Sequence, residues 1–248
     1  MAVGADTPET GSGTARPAPS GDAVRAVPAG AVRQRYGLLF VATIASLGVQ
    51  GALPPRGFQQ VVVTALAATT LLLAFRAADV RPRLVALAGT IAVTALTLSV
   101  LRAAGGEVGD GATRLMNAAL VAMGPPAVAL GVIRDLRASG RVRIQTVMGV
   151  LCFYTLVGMA FGFVYGALDH FGEGSFFAGG QTATVSHCLY FSFTTLMTVG
   201  YGDFVARSDT GHTIAVFEAL LGQIYLVTVV SLIVSNLRAP ARGGAREP

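Results

Sequence analysis

Charge is scarce in this 248-residue chain, and one cation is missing from it altogether. Only 12% of the residues are charged, about half the roughly 25% of an ordinary soluble domain, while 53% are hydrophobic. That balance excludes a typical soluble domain and points to a bilayer as solvent. All 18 basic residues are Arg; there is no Lys and no Trp. An Arg-only chain rich in Ala, Gly and Val fits a GC-rich, bacterial genome. There are two cysteines, Cys152 and Cys188, both in apolar stretches, and the absence of a CxxC or Cys/His spacing excludes a zinc site or a disulfide framework. His170, His187 and His212 are the three histidines, and they form no ligand cluster; surface or packing roles suit them better than pH sensing. No Ser/His/Asp constellation, phosphate-binding loop or paired-carboxylate site exists at workable spacing. The chain is therefore not expected to be an enzyme or to need an organic cofactor.

The net charge is +5. A basic balance can mark a nucleic-acid partner, but these Arg residues sit in short clusters between apolar runs, the pattern of membrane topology. Residues 1–31 are polar and rich in Pro, Gly, Ala and Ser, with no apolar core of a cleavable signal peptide. They read as a disordered cytoplasmic tail.

Six apolar runs approach the roughly 20 residues needed to cross a bilayer. They cover Tyr36 to Leu53, Phe58 to Phe75, Leu84 to Leu101, Leu115 to Ile133, Ile144 to Leu168 and His212 to Val234. The fourth contains Pro125-Pro126. A shorter apolar run, Ala183 to Met197, lies between the fifth and sixth. It is too short to span and suggests a re-entrant segment. Arg25, Arg33 and Arg35 precede the first span; Arg76, Arg81 and Arg83 follow the second; Arg134, Arg137, Arg141 and Arg143 follow the fourth; Arg238, Arg242 and Arg246 follow the sixth. The alternate loops carry fewer Arg residues and most of the acids. The positive-inside rule then places both termini in the cytoplasm. The expected organisation is a tail at 1–31, a four-span domain at 32–137 and a two-span domain at 138–248.

The chemistry resides in Thr198-Val199-Gly200-Tyr201-Gly202, which follows the short apolar run directly. A dehydrated cation needs a ring of oxygens in place of its water. An ordinary strand alternates the direction of successive groups; Gly200 and Gly202 accept positive φ and let the chain break that alternation. The carbonyls of Thr198, Val199, Gly200 and Tyr201 are the expected cation sites, with the Thr198 hydroxyl closing the lowest. Thr184 is a plausible N-cap for a helix over Val185 to Met197, whose C-terminal partial negative charge would favour a cation.

These residues resemble the potassium-channel superfamily, whose filter loop has this pentapeptide. The resemblance covers Ile144 to Asn236 and is most specific over Thr194 to Asp203. It implies an all-α membrane protein: outer helix, re-entrant pore helix, filter and inner helix, with four identical subunits around one axis in the bacterial cell membrane. Passive K⁺ conduction follows from it, with K⁺ and the lipid bilayer as partners and no nucleic acid. Asp203 matches the acid that braces the filter from behind. Tyr190 and Phe191 occupy positions where many relatives have a Trp pair, and Thr194 stands where some have a Glu paired with that acid; that pair cannot form here. Gly222 matches an inner-helix hinge, for which close helix packing is the competing explanation.

Glu218, one turn before Gly222, is an acid inside a span and a functional candidate by default. It is expected to hydrogen-bond the pore helix behind the filter or to face the cavity entrance. Gln223, Val227, Val230, Ser231 and Val234 share one helical side and are candidates to line the cavity. The first four spans lack a voltage sensor's repeated Arg: Leu115 to Ile133 contains none. Little intrinsic voltage dependence is therefore expected. A poorly selective cation channel, a non-conducting regulatory subunit and a transporter are the rival expectations. The gating stimulus is not legible.

Overall fold

The computed structural model describes residues 35–52, 59–78, 80–105, 110–139, 142–231 and 234. The expected tail at 1–31, the C-terminal cluster Arg238, Arg242 and Arg246, and Pro54-Pro55 at the end of the first expected span lie outside the described residues. Eight α-helices occur among them: α1 (Arg35–Ala52), α2 (Gln59–Ala77), α3 (Pro82–Ala103), α4 (Asp110–Ala122), α5 (Gly124–Ser139), α6 (Ile144–Phe171), α7 (Val185–Leu196) and α8 (Asp209–Tyr225). A π-helical turn, Leu226–Val230, continues α8. The extended pairing among described residues is a single antiparallel bridge, Phe177 with Ala206.

Among the described residues, five stretches are long and apolar enough to cross a membrane: Gln59–Ala77, Pro82–Leu101, Arg114–Ala138, Ile144–Phe171 and Asp209–Val229. The first expected span is shorter than that. Its described helix has 18 residues, about 27 Å at 1.5 Å per residue, against a hydrocarbon core of roughly 30 Å. The fourth expected span is two helices meeting at Met123. Pro125 and Pro126 fall in the first turn of α5, where a missing N–H costs no intrahelical bond.

The 28-residue α6 is the central post. One apolar cluster joins it to α1, α2 and α5 through Tyr36, Leu39, Ala74, Val128, Val132, Val150 and Leu156. A second joins it to α2, α4 and α7 through Val63, Ala67, Val121, Met159, Phe163 and Leu189. A third, built from Tyr165, Phe176, Phe177, Ala183, Cys188, Phe191 and Ala206, lies under the loops that flank α7. Both cysteines are free and buried. Close approach of α6 and α7 depends on Gly158: a Cβ there would lie 2.8 Å from the Phe193 ring.

The two helices α6 and α8 differ in burial. In the span that begins at Ile144, 56% of the most apolar window is buried, against 11% in the span that begins at Asp209. Val216, Phe217, Leu220, Ile224 and Val227 are all exposed in the single chain.

Candidate ion-conduction site

Residues 184–207 form one hydrogen-bonded unit. Thr184 caps α7, as its position predicts, its hydroxyl accepting from His187 N at 3.2 Å. The helix ends at Leu196, and the chain then folds back on its last turn. Thr198 N donates to Thr195 O at 2.9 Å; Val199 N and Gly200 N both donate to Thr194 O, at 2.8 and 3.1 Å. Three successive amides are thus satisfied by α7 itself.

The backbone alternates through this stretch. Thr198 has φ +56°, Gly200 +52° and Gly202 +82°. Gly200 and Gly202 are the positions where the sequence leads one to expect positive φ. Thr198 is an addition: a β-branched residue in the left-handed region is a strained outlier, and among described residues it is the one non-glycine there. The side chains of Val199 and Tyr201 are exposed.

Behind this segment the side chains interlock. Tyr190 Oη donates to Asp203 Oδ2 at 2.9 Å, and the Tyr190 ring stacks on Tyr201 at 6.3 Å and 12° and meets Phe204 edge-on. Partial desolvation, then the hydrogen bond and the charge of Asp203, push the Tyr190 phenol above its ordinary range, so it remains a donor. Phe191 packs against Tyr165, Phe176 and Phe177. The Thr194 hydroxyl donates to Phe191 O at 3.0 Å within its own helix. The following loop is tied down by Ala178 N to Val205 O, Arg207 N to Phe176 O and Gln181 Nε2 to Asp203 O.

Glu218 is fully buried. Its two oxygens accept from Tyr165 Oη and Ser192 Oγ, each at 2.5 Å, and Ser192 Oγ also lies 2.6 Å from Gly158 O. The carboxyl group thus links α8, α6 and α7. Its partners are 53 and 26 residues away in sequence, and a Tyr and a Ser on apolar helices were the faint signals available. Tyr154 was likewise not singled out by the sequence; its hydroxyl donates to Leu196 O at 3.2 Å.

Gly222 faces that same carbonyl from the other side: a Cβ on it would lie 2.2 Å from Leu196 O. Among the cavity-lining candidates, Gln223, Val227, Ser231 and Val234 are exposed, while the Val230 side chain lies outside the described set. The histidines are dispersed: His187 Nδ1 lies 2.7 Å from Thr182 O, His170 meets Phe171, and His212 is exposed. No cluster of His, Cys, Asp or Glu able to hold a metal exists among the described residues.

A family model described as ion channel matches residues 149–239, which takes in most of α6, all of α7, the Thr198–Gly202 segment and α8. Protein LctB of Geobacillus stearothermophilus is 32% identical over 116 residues, 42% of this chain and 86% of that protein. The chain belongs to the ion channel family. With its apolar helices, the channel is a multi-pass membrane protein. No solved structure matches it. The matched part of the channel holds Asp203, Glu218 and Gly222, whereas α1 to α5 lie before it.

Proposed function

We propose that this channel is potassium-selective and that four copies surround one conducting axis, with residues 198–202 as the filter, α7 as the re-entrant pore helix and α8 as the inner helix. The observation that carries this reading is the alternation of left-handed φ at Thr198, Gly200 and Gly202. Turning every second residue left-handed brings successive carbonyls to one side of the chain instead of alternate sides. The carbonyls of Thr198, Val199, Gly200 and Tyr201 then supply a column of oxygens, and four chains supply the ring that replaces the hydration shell of K⁺.

Three of the amides, those of Thr198, Val199 and Gly200, are held by the carbonyls of Thr194 and Thr195. Non-helical backbone at membrane depth is tolerated where protein buries it or it meets water. In the single chain the filter side chains and most of α8 are uncovered, which favours neighbouring subunits as their cover. The C-terminal end of the pore helix, ending at Leu196, adds a partial negative charge beneath the filter. The Tyr190–Asp203 bond supplies a brace where the sequence has no Trp cuff and no Glu at position 194.

The plasma membrane, six spans and cytoplasmic termini complete the proposal, with residues 32–137 as a four-span unit beside the pore. K⁺ flux into liposomes, with Na⁺ as competitor and Gly200→Ala as control, tests it. Selective flux that the control abolishes is the expected result; flux indifferent to K⁺ over Na⁺ would replace it with a poorly selective cation channel.

A further inference from the structure

The hydrogens around Glu218 can be counted, and with an ionised carboxylate the count does not close. Three oxygen–oxygen contacts run in a row: Tyr165 Oη to Glu218 Oε2 at 2.5 Å, Glu218 Oε1 to Ser192 Oγ at 2.5 Å, and Ser192 Oγ to Gly158 O at 2.6 Å. These are distances of O–H···O hydrogen bonds, and each contact needs its own proton. A tyrosine and a serine hydroxyl carry one each; a carbonyl and an ionised carboxylate carry none. Two protons then serve three contacts. If Ser192 donates to the carboxylate, Gly158 O faces a bare oxygen. If it donates to Gly158 O, the carboxylate does.

The surroundings agree with a missing third proton. Tyr165, Ser192 and Glu218 are all fully buried. A carboxylate taken out of water needs a cation beside it, and among the described residues no Arg or His pairs with Glu218. The titratable groups that face the array are Tyr165 and Tyr154 from α6, with Cys188 of α7 packed near Tyr165. Two phenols and a thiol offer no positive charge. Beyond Cys188, Arg114 and Asp169 engage each other. On α8 itself, Asp209 and His212 lie back at its N-terminal end.

We propose that Glu218 is a neutral carboxylic acid that donates its proton to Ser192 Oγ, and that this proton is a latch joining α8 to the crossing of α6 and α7. With the proton in place, Ser192 donates to Gly158 O, Tyr165 donates to the other carboxyl oxygen, and all three contacts are satisfied. Gly158 is where a Cβ would meet the Phe193 ring, so the Ser192–Gly158 bond sits at a tight point of that crossing. Loss of the proton to solvent hydroxide at alkaline pH leaves two protons for three contacts. Ser192 then turns to the carboxylate, Gly158 O loses its donor, and α7, which leads into Thr198, loosens from α6. The effect on conduction rests on the channel reading above; the protonation does not.

The test uses the full chain in phosphatidylcholine liposomes. Infrared spectra show a protonated carboxyl as a C=O band separate from the bands of carboxylates. The wild-type chain at neutral pH is expected to show such a band, which Glu218→Gln lacks. Ser192→Ala should shift it, because the acid loses its acceptor. Raising the pH should remove it. Melting of the wild-type assembly should fall over the same pH interval, since the folded chain there holds a proton that the unfolded chain has given up, and stability falls with pH wherever that is so. Glu218→Gln, a permanent neutral counterpart, should fall less. K⁺ flux is expected to drop several-fold as the band is lost in the wild-type chain and to stay level in Glu218→Gln.

A wild-type spectrum without a band that depends on Glu218 overturns the proposal. So does wild-type flux that stays level while the band disappears. Should Glu218→Gln misfold, Ser192→Ala decides: a band that does not move belongs to another acid, and the proposal fails. The band and its pH-dependent melting without K⁺ flux at any pH would remove the channel reading and leave the proton assignment standing; flux without the band does the reverse.

Discussion

Tyr190 Oη donates to Asp203 Oδ2 at 2.9 Å, across 13 residues, and so ties the middle of α7 to the turn that follows Gly202. The same ring stacks on Tyr201. One tyrosine thereby holds both the backbone exit and a side chain of the candidate filter. Tyr190→Phe keeps the stacking and removes the hydrogen bond. The expected outcome is a modest loss of K⁺ over Na⁺ discrimination, read as a shift in reversal potential under opposed K⁺ and Na⁺. An unmoved reversal potential would show that Asp203 is held by other contacts.

Glu218 links α6 and α7 through Tyr165 and Ser192. Its replacement by Gln keeps an acceptor for Tyr165 Oη and offers an N–H to Ser192 Oγ, leaving the Ser192 proton for Gly158 O. Glu218→Gln is therefore expected to fold and to conduct. Glu218→Ala leaves the buried Tyr165 hydroxyl unsatisfied, at about 1–3 kcal/mol, together with a cavity, while Ser192 keeps Gly158 O. Thermal melting of the purified assembly should fall clearly for Ala and little for Gln. Equal melting of the two variants would remove the structural role assigned to the carboxyl group.

Gly222 has no room for a methyl group, since a Cβ would meet Leu196 O at 2.2 Å. Overpacking of this kind costs about 1–3 kcal/mol, and the strain would fall on the last turn of α7, directly before Thr198. Gly222→Ala is expected to lower thermal stability and filter selectivity together. A variant with unchanged stability but altered open probability would instead identify Gly222 as a hinge. The departure from α-helical geometry in this helix lies further on, at Leu226–Val230.

What the sequence made legible follows the range of the interactions involved. Thr184 capping α7 is a contact three residues long, and Pro125-Pro126 marks a local discontinuity; both are visible in the order of residues. Glu218 stands out because an acid in an apolar helix is anomalous, but Tyr165 and Ser192 do not, because a hydroxyl on a membrane helix often bonds its own backbone, as Thr69 and Thr94 do here. The positive φ of Thr198 runs against intrinsic preference. It is imposed by the return of three amides onto α7, a constraint no propensity records.

The α4–α5 region has the place of a voltage-sensing helix but not its charges. Between Leu115 and Ile133 there is no Arg, and Arg114 at one end is engaged with Gly166 O and Asp169 of α6. Moving one charge through 100 mV supplies about 2.3 kcal/mol, so steep gating needs several mobile charges per subunit. Conductance measured between −100 and +100 mV, a window of about 4.6 kcal/mol per charge, is therefore expected to vary shallowly. Neutralising Arg114 should leave that slope unchanged while destabilising the contact between α4 and α6. A steep conductance–voltage relation that flattens in Arg114→Gln would mean that this ion pair breaks and re-forms during gating, and that a single anchored Arg carries the charge that the rest of the helix lacks.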